Sequence, residues 1–90
     1  MYSKQVTIHN PSGLHARPAS EFVAAAAKFK SRITIRKDEE GAREVNAKSI
    51  VMILSQALVT GTTVQITANG EDEMTAVDAL VALIEGGFGE

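Results

Sequence analysis

Three side chains with chemical potential fall close together in Ser12-Gly13-Leu14-His15-Ala16-Arg17-Pro18-Ala19. An imidazole is a nucleophile near neutral pH, and a guanidinium matches the geometry of phosphate oxygens. Pro18 sets the register, because proline fits the first turn of a helix, where an N–H has no intrahelical partner. After it, Phe22, Val23, Ala26 and Phe29 recur at helical spacing as one apolar stripe. His15 is therefore expected at the mouth of a helix, beside free backbone N–H groups and the positive end of the helix dipole. That position favours the neutral, nucleophilic ring and offers an anion site to whatever the ring acquires. The chemistry these residues describe is a histidine that carries a phosphoryl group.

A single histidine near a helix start is more often a cap or a surface residue. Here several independent features agree. Ser12 supplies a hydroxyl, Gly13 a flexible turn, and Asn10-Pro11 ends the preceding extended segment. His9 lies outside this cluster and reads as a surface histidine.

The elements that must position the cluster follow from periodicity. Val6 and Ile8 alternate with Gln5 and Thr7 in a first strand ending at Asn10-Pro11. A helix runs from about Ala16 to Lys28, and Ile33 and Ile35 alternate in a second strand. Lys37-Asp38-Glu39-Glu40-Gly41 is a polar turn, followed by a short third strand from Ala42 to Val45. Ser49 to Leu58 is ambiguous, since Ile50 to Leu54 are consecutively apolar and suit a buried strand. The serine start and Gly61 tilt the reading to a short helix. Thr63 to Ala68 is a fourth strand with Val64 and Ile66 inward. Glu71-Asp72-Glu73 open a last helix, whose buried stripe is expected to be Met74, Val77, Leu80, Val81 and Ile84 and which ends at Gly86-Gly87. The order β-α-β-β-α-β-α predicts an α+β open-faced sandwich, a four-stranded antiparallel sheet covered on one face by three helices.

Ninety residues suit one domain, 1–90, with 44% hydrophobic residues for a single core. No apolar run suffices for a membrane span and no secretion signal is visible. Zero cysteines suit a reducing compartment, and two histidines are too few for most structural metal sites, so neither a metal nor a cofactor is expected. The net charge of −2 hides an asymmetry: residues 1–60 carry all nine Lys and Arg, and residues 61–90 carry six acids and no base. Such a balance argues against nucleic-acid binding, which needs many unopposed cations. A local basic patch of Arg17, Lys28, Lys30 and Lys48 would favour an acidic protein partner, though for the two middle lysines ordinary solvation is the simpler reading.

Gly13-Leu14-His15-Ala16-Arg17-Pro18-Ala19 resembles the active-site signature of the HPr family, the histidine-containing phosphocarriers of the bacterial sugar phosphotransferase system. Asn46-Ala47-Lys48-Ser49-Ile50 is similar to that family's second signature, at family spacing from the first, and since chain length and the order of elements also fit, the resemblance covers nearly the whole chain. The resemblance implies a cytoplasmic, monomeric carrier rather than an enzyme. It would be phosphorylated at Nδ1 of His15 by Enzyme I, itself charged by phosphoenolpyruvate, and would pass the group to sugar-specific IIA domains. Arg17 would balance the phosphate charge, and Ser12, Ala16 and Pro18, with the backbone at Arg17, would surround its oxygens.

The resemblance also makes Ser49 a site for HPr kinase/phosphorylase, although a serine there is by itself an ordinary helix cap. Ile50, Val51, Ile53 and Leu54 are apolar around a short helix, so part of that surface is expected as a docking face for these partners or for a catabolite-control transcription regulator. Met52 and Gln56-Ala57 depart from the commoner family pattern, and the turn at Asp38–Gly41 is longer than in familiar relatives, which bears on partner choice. Two rivals remain within the resemblance: a nitrogen-branch phosphocarrier, and a binding-only coregulator, whose members replace the active histidine. A third, a nuclease using His9 and His15 as acid and base, has no basic groove behind it.

Overall fold

The computed structural model describes residues 1–90. Its elements are β1 (Tyr2–Thr7), α1 (Ala16–Ala27), β2 (Arg32–Lys37), β3 (Val45–Asn46), α2 (Ile50–Ser55), β4 (Thr63–Asn69) and α3 (Glu73–Glu85), with a single 3-10 turn at Gly87–Gly89. All strand pairings are antiparallel, in the order β1-β4-β2-β3. Alternation decides the two faces. Val6, Ile33, Ile35, Val64, Ile66 and Ala68 point to the helices and are buried, while Ser3, Gln5 and Thr7 point to solvent. The expected open-faced sandwich is the observed architecture.

The helices lay their apolar stripes on that inner face. Phe22 and Ala26 of α1 and Ala76, Val77, Leu80, Val81 and Ile84 of α3 are buried. Phe22 is the bulkiest fully buried side chain, and burying such a ring contributes about 1.5–3 kcal/mol. No helix is long and apolar enough to cross a membrane.

Three local expectations are corrected. The third strand is only Val45–Asn46, paired to Ile35 and Thr34, because Ala42, Arg43 and Glu44 belong to the turn, where Ala42 N donates to Glu39 O at 3.2 Å. Met74 is 59% exposed rather than core. At about 100° per residue it lies some 20° outside Val81, the least buried member of the stripe, and Ala76 fills the other margin. The helix at Ser49 stops at Ser55, well short of Leu58, with Gln56 as its C-cap.

Asp72 ties the start of α3 to the sheet. Its carboxylate accepts from Lys30 N at 2.8 Å and Ser31 N at 3.0 Å, and from the Ser31 hydroxyl. The Ser31 hydroxyl bond, with the Lys30 amide next, holds this carboxyl below its ordinary range.

Candidate phosphoryl-acceptor site

The chain between β1 and α1 is pinned before it reaches His15. Asn10 is almost fully buried; its backbone oxygen accepts from Gly13 N at 3.1 Å, and its Nδ2 donates to Gly13 O at 2.9 Å. Leu14 N donates to Leu58 O at 2.8 Å, drawing the loop against the α2–β4 connection. Gly13 is required there on two counts. Its φ is +67°, and a Cβ would lie 2.6 Å from Leu58 O and 2.9 Å from Val59 Cα. Leu14 is buried, so the next residue, His15, is turned outward.

His15 is the N-cap of α1, with extended backbone (φ −143°, ψ 155°) and no side-chain capping hydrogen bond. Its ring is exposed at the positive end of a twelve-residue helix. Ala16 follows at φ 54°, a left-handed conformation that costs an alanine on the order of 1 kcal/mol and persists because the flanking residues are fixed. Arg17 is exposed in the first turn. Its Nη1 donates to Glu21 Oε1 at 2.7 Å and its Nη2 to Phe88 O at 3.2 Å, so the guanidinium bridges α1 and the C-terminal turn. Pro18 is buried and has no N–H, which corrects its assignment to the oxygens of a phosphoryl group: it shapes the first turn and donates nothing.

Ser12 and His15 line one shallow depression of about 220 Å³, together with Leu14, Leu54, Ala57, Leu58 and Val59. Leu54 and Val59 are exposed there, so the apolar rim expected of α2 reaches the histidine. Val51 is 71% exposed, and Ile50 is also at the surface. Ile53 is corrected: it is wholly buried in the core and has no face to offer a partner. Ser49 caps α2, its Oγ accepting from Met52 N at 3.3 Å. Lys48 beside it sends Nζ to Phe29 O at 2.7 Å.

An HPr family profile, described as "PTS HPr component phosphorylation site", matches residues 2–86. The chain belongs to the HPr family. Among its HPr relatives, the phosphocarrier protein HPr of Haemophilus influenzae is 48% identical over 84 residues, 93% of this chain and 95% of its own. The HPr-like protein Crh of Halalkalibacterium halodurans is 45% identical over 85 residues, 94% of this chain and 98% of its own. An HPr crystal structure from Thermoanaerobacter tengcongensis superposes with a TM-score of 0.92 at 47% identity, covering 100% of this chain and 98% of that one. An HPr dimer from the same organism matches with a TM-score of 0.76. The chain is thus a member of a phosphocarrier family tied to the phosphotransferase system and to catabolite regulation.

Two residues around this candidate site carry no local sequence signal. Glu90 takes the donors of Ser12: Oγ donates to Oε2 at 2.8 Å and the backbone N to Oε1 at 3.1 Å, and Asn10 Nδ2 adds a bond to Oε1 at 3.0 Å. These bonds, Asn10 first, hold the Glu90 carboxyl below its ordinary range, and Arg17 adds a smaller attraction. His9, read as a bystander, donates from Nε2 to Glu85 O at 2.8 Å and so closes the end of α3.

Proposed function

We propose that this chain, as a single phosphocarrier domain in the cytoplasm, accepts a phosphoryl group on His15 from phospho-Enzyme I and passes it to sugar-specific IIA domains. The observation that carries this reading is the exposed, uncapped imidazole at the start of α1, with Ser12 in the same depression and Arg17 two residues on. The neutral ring attacks phosphorus through Nδ1. A P–N bond forms to His15 as the donor's own bond to phosphorus breaks, and the reverse exchange delivers the group to the acceptor. Helix N–H groups at Ala16 and Arg17 and the Arg17 charge stabilise the oxyanions. Partners supply the remaining groups, so the domain turns over no substrate alone and needs no cofactor. Ile50, Val51 and Leu54, with Val59, form the face on which they dock.

Ser49 is the regulatory position in this reading. A phosphate there, from an HPr kinase/phosphorylase, sits at a helix cap that tolerates anions, so it acts on docking rather than on the fold. A second reading, a binding-only coregulator, draws on the match to Crh proteins. One experiment separates the two: incubation with Enzyme I and phosphoenolpyruvate, followed by mass spectrometry. A gain of one phosphoryl group supports the carrier, and an unmodified mass supports the binding-only role.

A further inference from the structure

Strand alternation puts a second polar surface on the side of the sheet away from the helices. Ile33, Ile35 and Val45 point inward and are buried. Arg32 and Thr34 of β2 and Asn46 of β3 therefore share the outer face, with Thr34 directly opposite Asn46. There they line a trough of about 360 Å³ together with Lys30, Glu44 and Lys48. It shares no residue with the depression at His15.

The trough holds more donors than the fold uses. The ion pairs of the chain are Met1–Glu73, Lys4–Asp78 and Arg17–Glu21, and none of them draws on it. The Lys30 ammonium and the Arg32 guanidinium are without a partner. Lys48 gives one N–H of its ammonium to Phe29 O and keeps the others. Asn46 Oδ1 accepts from Lys48 N, which leaves the Asn46 amide nitrogen free to donate. Arg36 shows the contrast: further along the same strand, its guanidinium is spent on Glu39 O and Ala42 O. Against the cations of the lining stands one carboxylate, Glu44. Asp72, bonded to the adjoining Ser31, already takes the Lys30 amide and both Ser31 donors.

Such a lining selects its ligand. Unpaired N–H donors on a concave, positively charged wall match phosphoryl oxygens, and the planar fork of Arg32 does so with two parallel bonds. The apolar residues of the lining, Ile33 and Val45, are buried, and it contains no aromatic ring on which a base would stack. We propose that this trough binds a small phosphate ester of two or more negative charges whose organic part is hydrophilic. Lys30, Arg32 and Lys48 hold the phosphoryl oxygens, and Thr34 and Asn46 take the hydroxyls of the organic part. Glu44 opposes the ligand's charge and limits the affinity. The site is separate from His15, so it does not rest on the phosphocarrier reading.

The test is a titration of the full chain with glycerol 3-phosphate at constant ionic strength, followed by the amide resonances of Thr34, Asn46 and Lys48. It is run on the native protein, the double variant Lys30→Gln/Arg32→Gln, Glu44→Gln and Lys28→Gln. Lys28 is an exposed lysine outside the trough, and the other substituted residues are exposed as well. Binding should weaken roughly tenfold or more in the double variant, tighten in Glu44→Gln and stay at the native value in Lys28→Gln. A damaged trough would only lose affinity, so the gain in Glu44→Gln separates charge from disruption. No shift at the three amides, an equal loss in Lys28→Gln, or no gain in Glu44→Gln would overturn the proposal. In a second arm, ATP should bind no more tightly than inorganic tripolyphosphate. A clear gain from the adenine would overturn the assignment to a ligand without a base.

Discussion

Ser12 Oγ donates to Glu90 Oε2 at 2.8 Å, joining two residues 78 positions apart beside the exposed ring of His15. The contact makes the candidate acceptor site a product of both ends of the fold. The loop before α1 supplies the Ser12 donors and the proposed nucleophile, His15, and the turn after α3 supplies a carboxylate and the Phe88 carbonyl that receives Arg17.

Arg17→Ala should slow transfer to and from His15 on the order of a hundredfold, the usual cost of removing one preorganised electrostatic contact. Stability should hardly change, since the Arg17–Glu21 pair is an exposed i,i+4 bridge worth roughly 0.3–0.5 kcal/mol. Rapid-quench transfer rates and thermal melts measure the two effects. Native rates would reduce Arg17 to a surface charge.

Gly13→Ala should lower stability by about 1–3 kcal/mol through left-handed strain, with a further contribution from the clash against Leu58 O. The loop must then lift from the α2–β4 connection, carrying His15 with it, so phosphorylation should slow as well. Denaturant unfolding together with labelling rates checks both. An unchanged denaturation midpoint would show that the close approach is dispensable.

The strands, the helix behind His15 and the placement of His15 at its start were legible because each rests on local pattern: period-two alternation at Val6, Ile33, Ile35, Val64 and Ile66, and a proline–histidine juxtaposition at a helix start. Errors arose where an apolar residue sat at the margin of a pattern. Met74 lies just beyond the edge of the α3 stripe, and Ile53 belongs to the inward side of a helix whose every face looked alike in sequence. Glu90 and His9 were illegible for a different reason. Their partners, Ser12 and Glu85, lie across the whole chain, and nothing in spacing encodes a contact set by tertiary packing.

Ser49→Asp should keep its melting temperature, because aspartate is as good an N-cap as serine, yet accept phosphate from Enzyme I more slowly. The added charge adjoins the exposed Ile50 and Val51, where it repels an acidic partner, so the deficit should shrink with salt. Ser49→Ala should transfer nearly normally and lose about 0.5–2 kcal/mol of stability with the Met52 cap bond. A salt-independent deficit with a lower melting temperature would identify a damaged helix start and remove the physical basis for regulation.

Site-resolved mass spectrometry after incubation with Enzyme I and phosphoenolpyruvate decides whether His15 is the phosphoryl acceptor. One phosphoryl group is expected on His15, labile in acid and stable in alkali as a phosphoramidate is. No labelling is expected of His15→Ala, which should fold normally because the ring is exposed and caps nothing. Full labelling of His15→Ala, or labelling abolished only in His9→Ala, would contradict that assignment.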